Sequence, residues 1–442
     1  MKMEHFDSAL QIEAELPGSP KGHWQNWSKN QNSQPETLFH PTNSHELAAF
    51  LRSHQGKLRV VGSGHSFSPL VNTDHLLISL NKMTGIIDHD HTLHTAKVQA
   101  GTPLHLLGKS LNQINQAMIN LGDIDHQSIA GAVATGTHGT GAELSCISGL
   151  VKGFTLVTPK GESIHCSTNE NQELFNGGRV NLGSLGIFSE IELQNRPSYH
   201  LEENISIVPL RDVLAHIDRW KEQHRHIEFF AFGYSDQVIL KTLNITDKPS
   251  TSVETPLISE DALLKLFCEI TRFAPKLTSF VHKQISRFIS PSNQVGPSNQ
   301  VFATPRSVRF NEMEYQVAAE SGPECIDKVI HHIRKHKLNA FFPIEYRYVA
   351  GDNIWLSPFY NRDSASISIH QYHKQSYQYL FNSLEPIFDH YQGRPHWGKL
   401  HSKTASQLEP LYPKWQAFKT LRKQLDPKGQ LLSPAMEKVF GH

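Results

Sequence analysis

Apolar positions recur along this chain in two rhythms, and the mixture changes after Pro197. From Ser44, the run ELAAFLRSH puts Leu47, Phe50 and Leu51 on one helical face, with Ser44 as the cap. LRVVG (58–62) reads as a short strand running into glycine, and LLISL (76–80) and TAKVQAG (95–101) as further strands. Thr102-Pro103 opens a helix predicted to reach about Met118, with proline at the first helical position, where its missing N–H costs nothing. Strands GFTLVTP and ESIHC flank a Lys160-Gly161 turn, and NLGSLGIFSEIELQN (181–195) follows. Beyond Pro197, ISIVPL, IEFFAFGY and VILKTLNI alternate like strands, while VLAHIDRWKE and CIDKVIHHIRKH read as amphipathic helices. Both halves mix strands and helices, so the expected class is α+β. Ser-Asn-Gln-Val occurs at 292–295 and again at 298–301, within a Pro/Gly/Ser stretch read as a mobile surface loop without chemistry.

Composition narrows the function classes. A chain of 442 residues exceeds one hydrophobic core, so two domains are expected. Lys+Arg and Asp+Glu both number 42, which removes any global field for nucleic acid or an acidic membrane surface. Apolar runs fall short of a membrane span. Cys146, Cys166, Cys268 and Cys325 form no CxxC pair, which suits a reducing compartment. The start, MKMEHFDSALQIEAELPGSP, lacks the basic-then-apolar order of a secretory signal, so a cytoplasmic protein is expected, and a monomer. Asn26, Asn204 and Asn244 match the glycosylation pattern by chance on this reading. Residues 1–35 look like a polar arm tied down by Trp24 and Trp27. The 28 histidines make net charge sensitive to pH between about 5 and 8.

Two segments carry chemistry. In VVGSGHSFS (60–68), a strand ending in Gly62-Ser63-Gly64 exposes successive backbone N–H groups, a nest that suits a pyrophosphate. No GxGxxG opens a helix and no Gly-Lys-Ser/Thr follows, so it is neither a Rossmann nor a Walker loop. Taken alone it reads better as a tight turn without a ligand. In LGDIDHQSIAGAVATGTHGTG (121–141), small residues allow close backbone approach, and Ser128, Thr135 and Thr137 offer hydroxyls. Too apolar for a solvent loop and too rich in glycine for a regular element, this stretch could satisfy its backbone groups against a polar cofactor.

These two segments, in this order, resemble the FAD-binding domain of the vanillyl-alcohol oxidase flavoprotein superfamily. Within it, the chain resembles the aldonolactone oxidases and the bacterial alditol oxidases. The resemblance continues through NLGSLGIFSEIEL, VRFNEMEY (308–315), FFPIEYRYVAGDNIWLSPFY (341–360), RPHWGKLHS (394–402) and DPKGQLLSP (426–434). It implies a two-domain flavoprotein. An FAD-binding domain of two small α/β subdomains would span 1–196. A substrate domain, an antiparallel sheet flanked by helices, would span 197–420, with a tail, 421–442, returning to the first domain. FAD would be held by Val61, Gly62, Ser63, Gly64, His65, Ser66, Gly122, Asp123, Ser128, Gly131, Thr135, Gly136, Thr137, His138, Ile187 and His396. The resemblance implies a covalent bond from His65 to the flavin, Ile187 near the adenine, and Gly122 at the flavin edge, where a small residue admits O2. His138 is expected as a structural or pyrophosphate contact rather than a base.

Glu345 and Arg347 stand two apart in PIEYR, so on a strand they share a face and can grip a polyol or lactone together. The resemblance also sets Glu-x-Arg at the substrate, with Lys399 beside the flavin. That lysine would stabilise negative charge on the reduced ring, or act as a base if burial and Arg347 lower its pKa. Asp123, His370 and Tyr372 complete the expected substrate contacts; Asp123 stands where the alditol oxidases have serine. His331, His332 and His336 are read as solvated, and no metal is expected. The implied reaction is oxidation of a C–OH group of a sugar lactone, with O2 reduced to H2O2. An alditol oxidase, a dehydrogenase with a quinone or cytochrome acceptor, and a flavin binder without turnover are the alternatives.

Overall fold

The computed structural model describes residues 22–251, 260–284, 290–303 and 307–441, so most of the proposed N-terminal arm lies outside the described residues. A three-stranded parallel sheet comes first, with Leu76–Ser79 between Thr37–Phe39 and Leu58–Val61. Beside it lies a six-stranded antiparallel sheet centred on Ile187–Pro197, flanked by Val151–Val157 and Thr95–Gln99. One apolar core, including Leu47, Leu58, Ile78, Val98, Leu107, Val133 and Ile191, joins the two.

The second half is an eight-stranded antiparallel sheet. Its order is Ser292–Pro297, His200–Pro209, Gln237–Thr246, His226–Ala231, Ile344–Val349, Ser364–Tyr372, Phe310–Ala318 and Arg394–Pro395. Strict alternation divides its two faces. Phe229, Tyr346, Ile367, Met313 and Tyr315 pack against the helices Leu210–Gln223, Gly322–His336 and Gln378–His390. The other face presents Glu228, Glu345, Arg347, Ser366, Ser368, Glu312, Glu314 and Gln316, all of them buried. It is polar and yet covered, because the N-terminal half packs over it. His226 Nδ1 meets the Thr140 carbonyl at 2.7 Å, and His138 Nε2 meets Glu314 at 2.7 Å. Burying so many charges is costly unless they are paired, which marks this interface as a site rather than a core.

Several local expectations are corrected. Asn43, not Ser44, caps the first helix, accepting from the Glu46 N–H. The helix after Pro103 starts at Leu104, with Pro103 as cap, and stops at Gln113. Asn115 then turns left-handed, and Gln116–Met118 becomes a strand on Asn195–Pro197. The glycine-rich stretch contains a regular element, the helix Ile129–Thr135, started by Ser128 and ended by left-handed Gly136. The duplicated Ser-Asn-Gln-Val is no mobile loop: its first copy lies in the strand Ser292–Pro297 against His200–Ile205, and its second is the helical turn Ser298–Val301. After Leu431-Leu432 the tail forms the helix Pro434–Phe440; Lys57 bonds Glu437 and Ser433 bonds the Leu70 carbonyl. All four cysteines are free and buried.

Candidate active site

A cavity of about 1400 Å³ opens between the parallel sheet and the Ile129–Thr135 helix. Drug-sized ligands usually occupy up to about 1,000 Å³, so there is room for a larger molecule. Of the residues expected to hold a cofactor, Val61, Gly62, Ser63, Gly64, His65, Ser66, Ser128, Gly131, Thr135 and Ile187 line it. The turn is shaped by close approach: a Cβ on Gly62 would stand 2.2 Å from Ser128 Oγ, and Gly64 has φ +69°. Trp24, Asn26, His105, His126, Asn181 and Arg309, not expected at a cofactor from the sequence, also line it. His65 stacks between Trp27 and His126, at ring distances of 5.7 and 5.9 Å. Burial, then His126 and Lys399, push its imidazole down to about 3. It is therefore neutral, with a ring lone pair.

Gly122, Asp123, Gly136, Thr137, His138 and His396 are not on this wall. His138 Nε2 holds Glu314 at 2.7 Å, and Thr137 Oγ1 is buried without a partner among the described residues. Gly122 is pressed against backbone, since a Cβ there would meet the His138 carbonyl at 2.9 Å. His396 lies 5.6 Å from His138, ring to ring, and burial pushes its imidazole down to about 4.

Next to the His65 end lies the charged face of the large sheet. Phe67 N–H bonds the Gly398 carbonyl at 2.7 Å, and Lys399 Nζ lies 5.2 Å over the Phe67 ring, which joins cavity to cluster. Arg347 Nε meets Glu228 at 2.8 Å, while its Nη2 meets Asp123 at 2.8 Å and Glu345 at 2.5 Å. Lys241 reaches Glu228 at 3.1 Å, Glu203 at 3.3 Å and Asp123 at 3.7 Å. Four carboxylates thus surround two cations. Burial, opposed by Arg347 and reinforced by Asp123 and Glu228, raises the Glu345 pKa well above the carboxylate range. Burial would lower the Lys241 ammonium, but Asp123, Glu228 and Glu203 prevail and raise it.

Lys399 pairs with Glu312 and lies 4.0 Å from Glu314; its neighbours are acids, not Arg347. Against its burial, Lys399 and His370 hold Glu312 down to about 2. His370 Nε2 is 3.5 Å from Glu312, so it joins the cluster. Tyr372 does not: its hydroxyl donates to Glu269 at 2.7 Å, away from these charges. Glu203, Glu228, Lys241, Glu312 and Glu314 were not foreseen. For the last two the signal was present, since Glu-Met-Glu on a strand places both acids on one face.

A glycine-lined cavity abutting a buried charge cluster suits an FAD-linked oxidoreductase acting on CH–OH groups, and similarity to known proteins gives the chain that class. The chain belongs to the D-arabinono-1,4-lactone oxidase family, whose model matches residues 191–439, while an FAD binding domain matches 35–167. It is 35% identical over 426 residues to L-gulono-1,4-lactone dehydrogenase of Mycobacterium tuberculosis, covering 95% of this chain and 99% of the relative. To L-gulonolactone oxidase of Bos taurus it is 29% identical, covering 94% and 98%. To the alditol oxidase of a Streptomyces species it is 25% identical, covering 92% and 96%. Its fold is that of cholesterol oxidase from Brevibacterium sterolicum, with TM-score 0.78 at 15% identity over 97% of this chain and 99% of that one.

Proposed function

We propose that the chain oxidises a C–OH group of an aldono-1,4-lactone, using FAD covalently attached through His65 and O2 as acceptor. The observation that carries this reading is the Glu345–Arg347–Asp123 cluster, set against the Lys399 segment that packs on the His65 turn. The cavity fits FAD: it measures about 1400 Å³, and the Gly62-Ser63-Gly64 turn on its wall offers backbone N–H donors to a polar group. The turn 62–66, Ser128, Gly131, Thr135 and Ile187 would hold it. When bound, the flavin supplies a hydride acceptor and a route for two electrons to O2, giving H2O2.

The protein's part is orientation and charge. Arg347 is fixed at Nε and Nη2, which leaves its remaining donors for lactone oxygens. Glu345 accepts from Arg347 Nη2, and burial pushes its carboxyl toward the protonated form. Lys399, anchored by Glu312, adds positive charge near the His65 turn. Lys399 therefore serves as electrostatic support, and the hydroxyl proton released on oxidation would pass to a cluster carboxylate, Asp123 being the one expected at the substrate.

Acid precipitation of the purified protein tests the attachment: flavin stays in the pellet for the wild type and leaves it in His65→Ala. Peroxide formed per lactone oxidised tests the acceptor, with one equivalent expected. A dehydrogenase is the second reading, because packing against His138 gives Gly122 a reason that is independent of O2 access. The M. tuberculosis relative also bears that name. Dye reduction without peroxide would establish it.

A further inference from the structure

The helix Glu260–Phe273 is apolar on two sides, although among the described residues only one side has a protein partner. Inward, Cys268 joins Val281, Phe341, Phe342 and Tyr372 in a small core, with Leu264 and Phe267 packed against it. Outward, Leu266, Ile270 and Phe273 follow at helical spacing, with Leu266 54% and Phe273 76% exposed. Leu277 and Phe280, the latter 63% exposed, extend the stripe across the turn into the helix Thr278–Gln284. Half of the ten exposed large apolar side chains among the described residues lie in this one hairpin. Contiguous exposure of this kind is uncommon on a protein without a binding partner.

The charges beside the stripe select the partner, since the acids Glu260 and Asp261 stand at the start of the helix, more than a turn before Leu266. Lys265, Lys276 and Lys283 are exposed around the stripe, with Arg272 half-buried beside Phe273. Glu269, on the same helix, is taken up by Tyr372 at 2.7 Å, Lys374 at 2.6 Å and Arg272 at 3.2 Å. We infer that this hairpin docks the enzyme on an anionic lipid surface, with Phe273 and Phe280 entering the headgroup boundary and the lysines facing lipid phosphates. Zero net charge removes long-range attraction, but this patch acts locally, within a Debye length. Docking is interfacial: among the described residues no helix is long and apolar enough to cross a membrane. The other side of the hairpin packs on Phe341 and Phe342, and Phe342 lies 6.3 Å from the His370 ring, so the docked face adjoins the candidate active site.

Flotation of the full-length holoenzyme with vesicles of phosphatidylcholine plus phosphatidylglycerol, and with phosphatidylcholine alone, tests this inference. The expected result is flotation with the anionic vesicles that weakens as salt rises. Phe273→Ser/Phe280→Ser and, separately, Lys276→Glu/Lys283→Glu should each reduce the floated fraction about tenfold. Flavin content and lactone turnover should be unchanged, because none of these residues lies in the site. If the apolar variant loses its flavin, the lysine variant alone decides. No flotation, or equal flotation of the variants, overturns the inference. So does a dimer in light scattering that Phe273→Ser/Phe280→Ser dissolves while vesicles go unbound, since the stripe would then meet a second copy.

Discussion

Glu345 and Lys241 are the side chains whose charge sets the balance of the buried cluster. Burial raises the Glu345 pKa, so Glu345→Gln, which cannot ionise, should remove an alkaline limb from kcat/KM. Glu345→Ala and Arg347→Ala should each lose about 10²–10³ in kcat with flavin still bound. If both turn over normally, the substrate site lies elsewhere. Lys241→Met would leave Asp123 and Glu228 to Arg347 alone, take from Glu203 the cation it pairs with, and draw Arg347 out of line. Breaking such a buried pair costs about 3–5 kcal/mol, visible as a lower urea midpoint. KM should rise more than kcat falls, and Lys241→Arg should recover part of both. Glu345 and Arg347 were legible because their spacing is local. Glu228 and Lys241 were not: they meet Arg347 only through strand pairings that join positions 228, 241 and 347 across the chain.

Elements show the same division between local and distant causes. Strands with clean alternation, such as Ile344–Val349, were readable because each face is set by its own residues. The two Ser-Asn-Gln-Val copies were not, because neighbours decide between strand and helix. The first copy has His200–Pro209 to pair with, and the second follows Pro297, which caps a helical turn. The helix Ile129–Thr135 hid among glycines because its start depends on Ser128, which must also make room for Gly62. This shared space is testable. Gly62→Ala should lower FAD content sharply, because its Cβ would overlap Ser128 Oγ. Adding Ser128→Ala removes the overlap and should restore part of the FAD, at a cost of about 1 kcal/mol for the lost helix cap. Equal FAD content in the wild type and Gly62→Ala would show that the turn does not border the cofactor.

At the scale of the whole molecule, the covered polar face ties folding to pH. His226 is pushed down to about 3 by burial, despite its bond to the Thr140 carbonyl, and His282 and His396 to about 4, again mainly by burial. Unfolding returns each to near 6.5, so between about pH 6.5 and 4 the unfolded chain binds more protons than the native one, and stability falls as pH falls. Each histidine contributes at most about 1.4 kcal/mol per pH unit over that window. Glu312, held to about 2, extends the loss below pH 4, because its charged form is favoured only in the native state. Glu345 has the opposite sign: its raised native pKa means stability is lost as pH rises above the ordinary carboxylate value. The midpoint of thermal unfolding should therefore drop steeply between pH 6.5 and 5. His226 joins the two halves through Thr140, so the effect of His226→Gln distinguishes the source. A shallower slope from pH 6.5 to 5 in that variant would locate the acid sensitivity at this seam, whereas an unchanged slope would assign it to the other buried histidines, His282 and His396 among them.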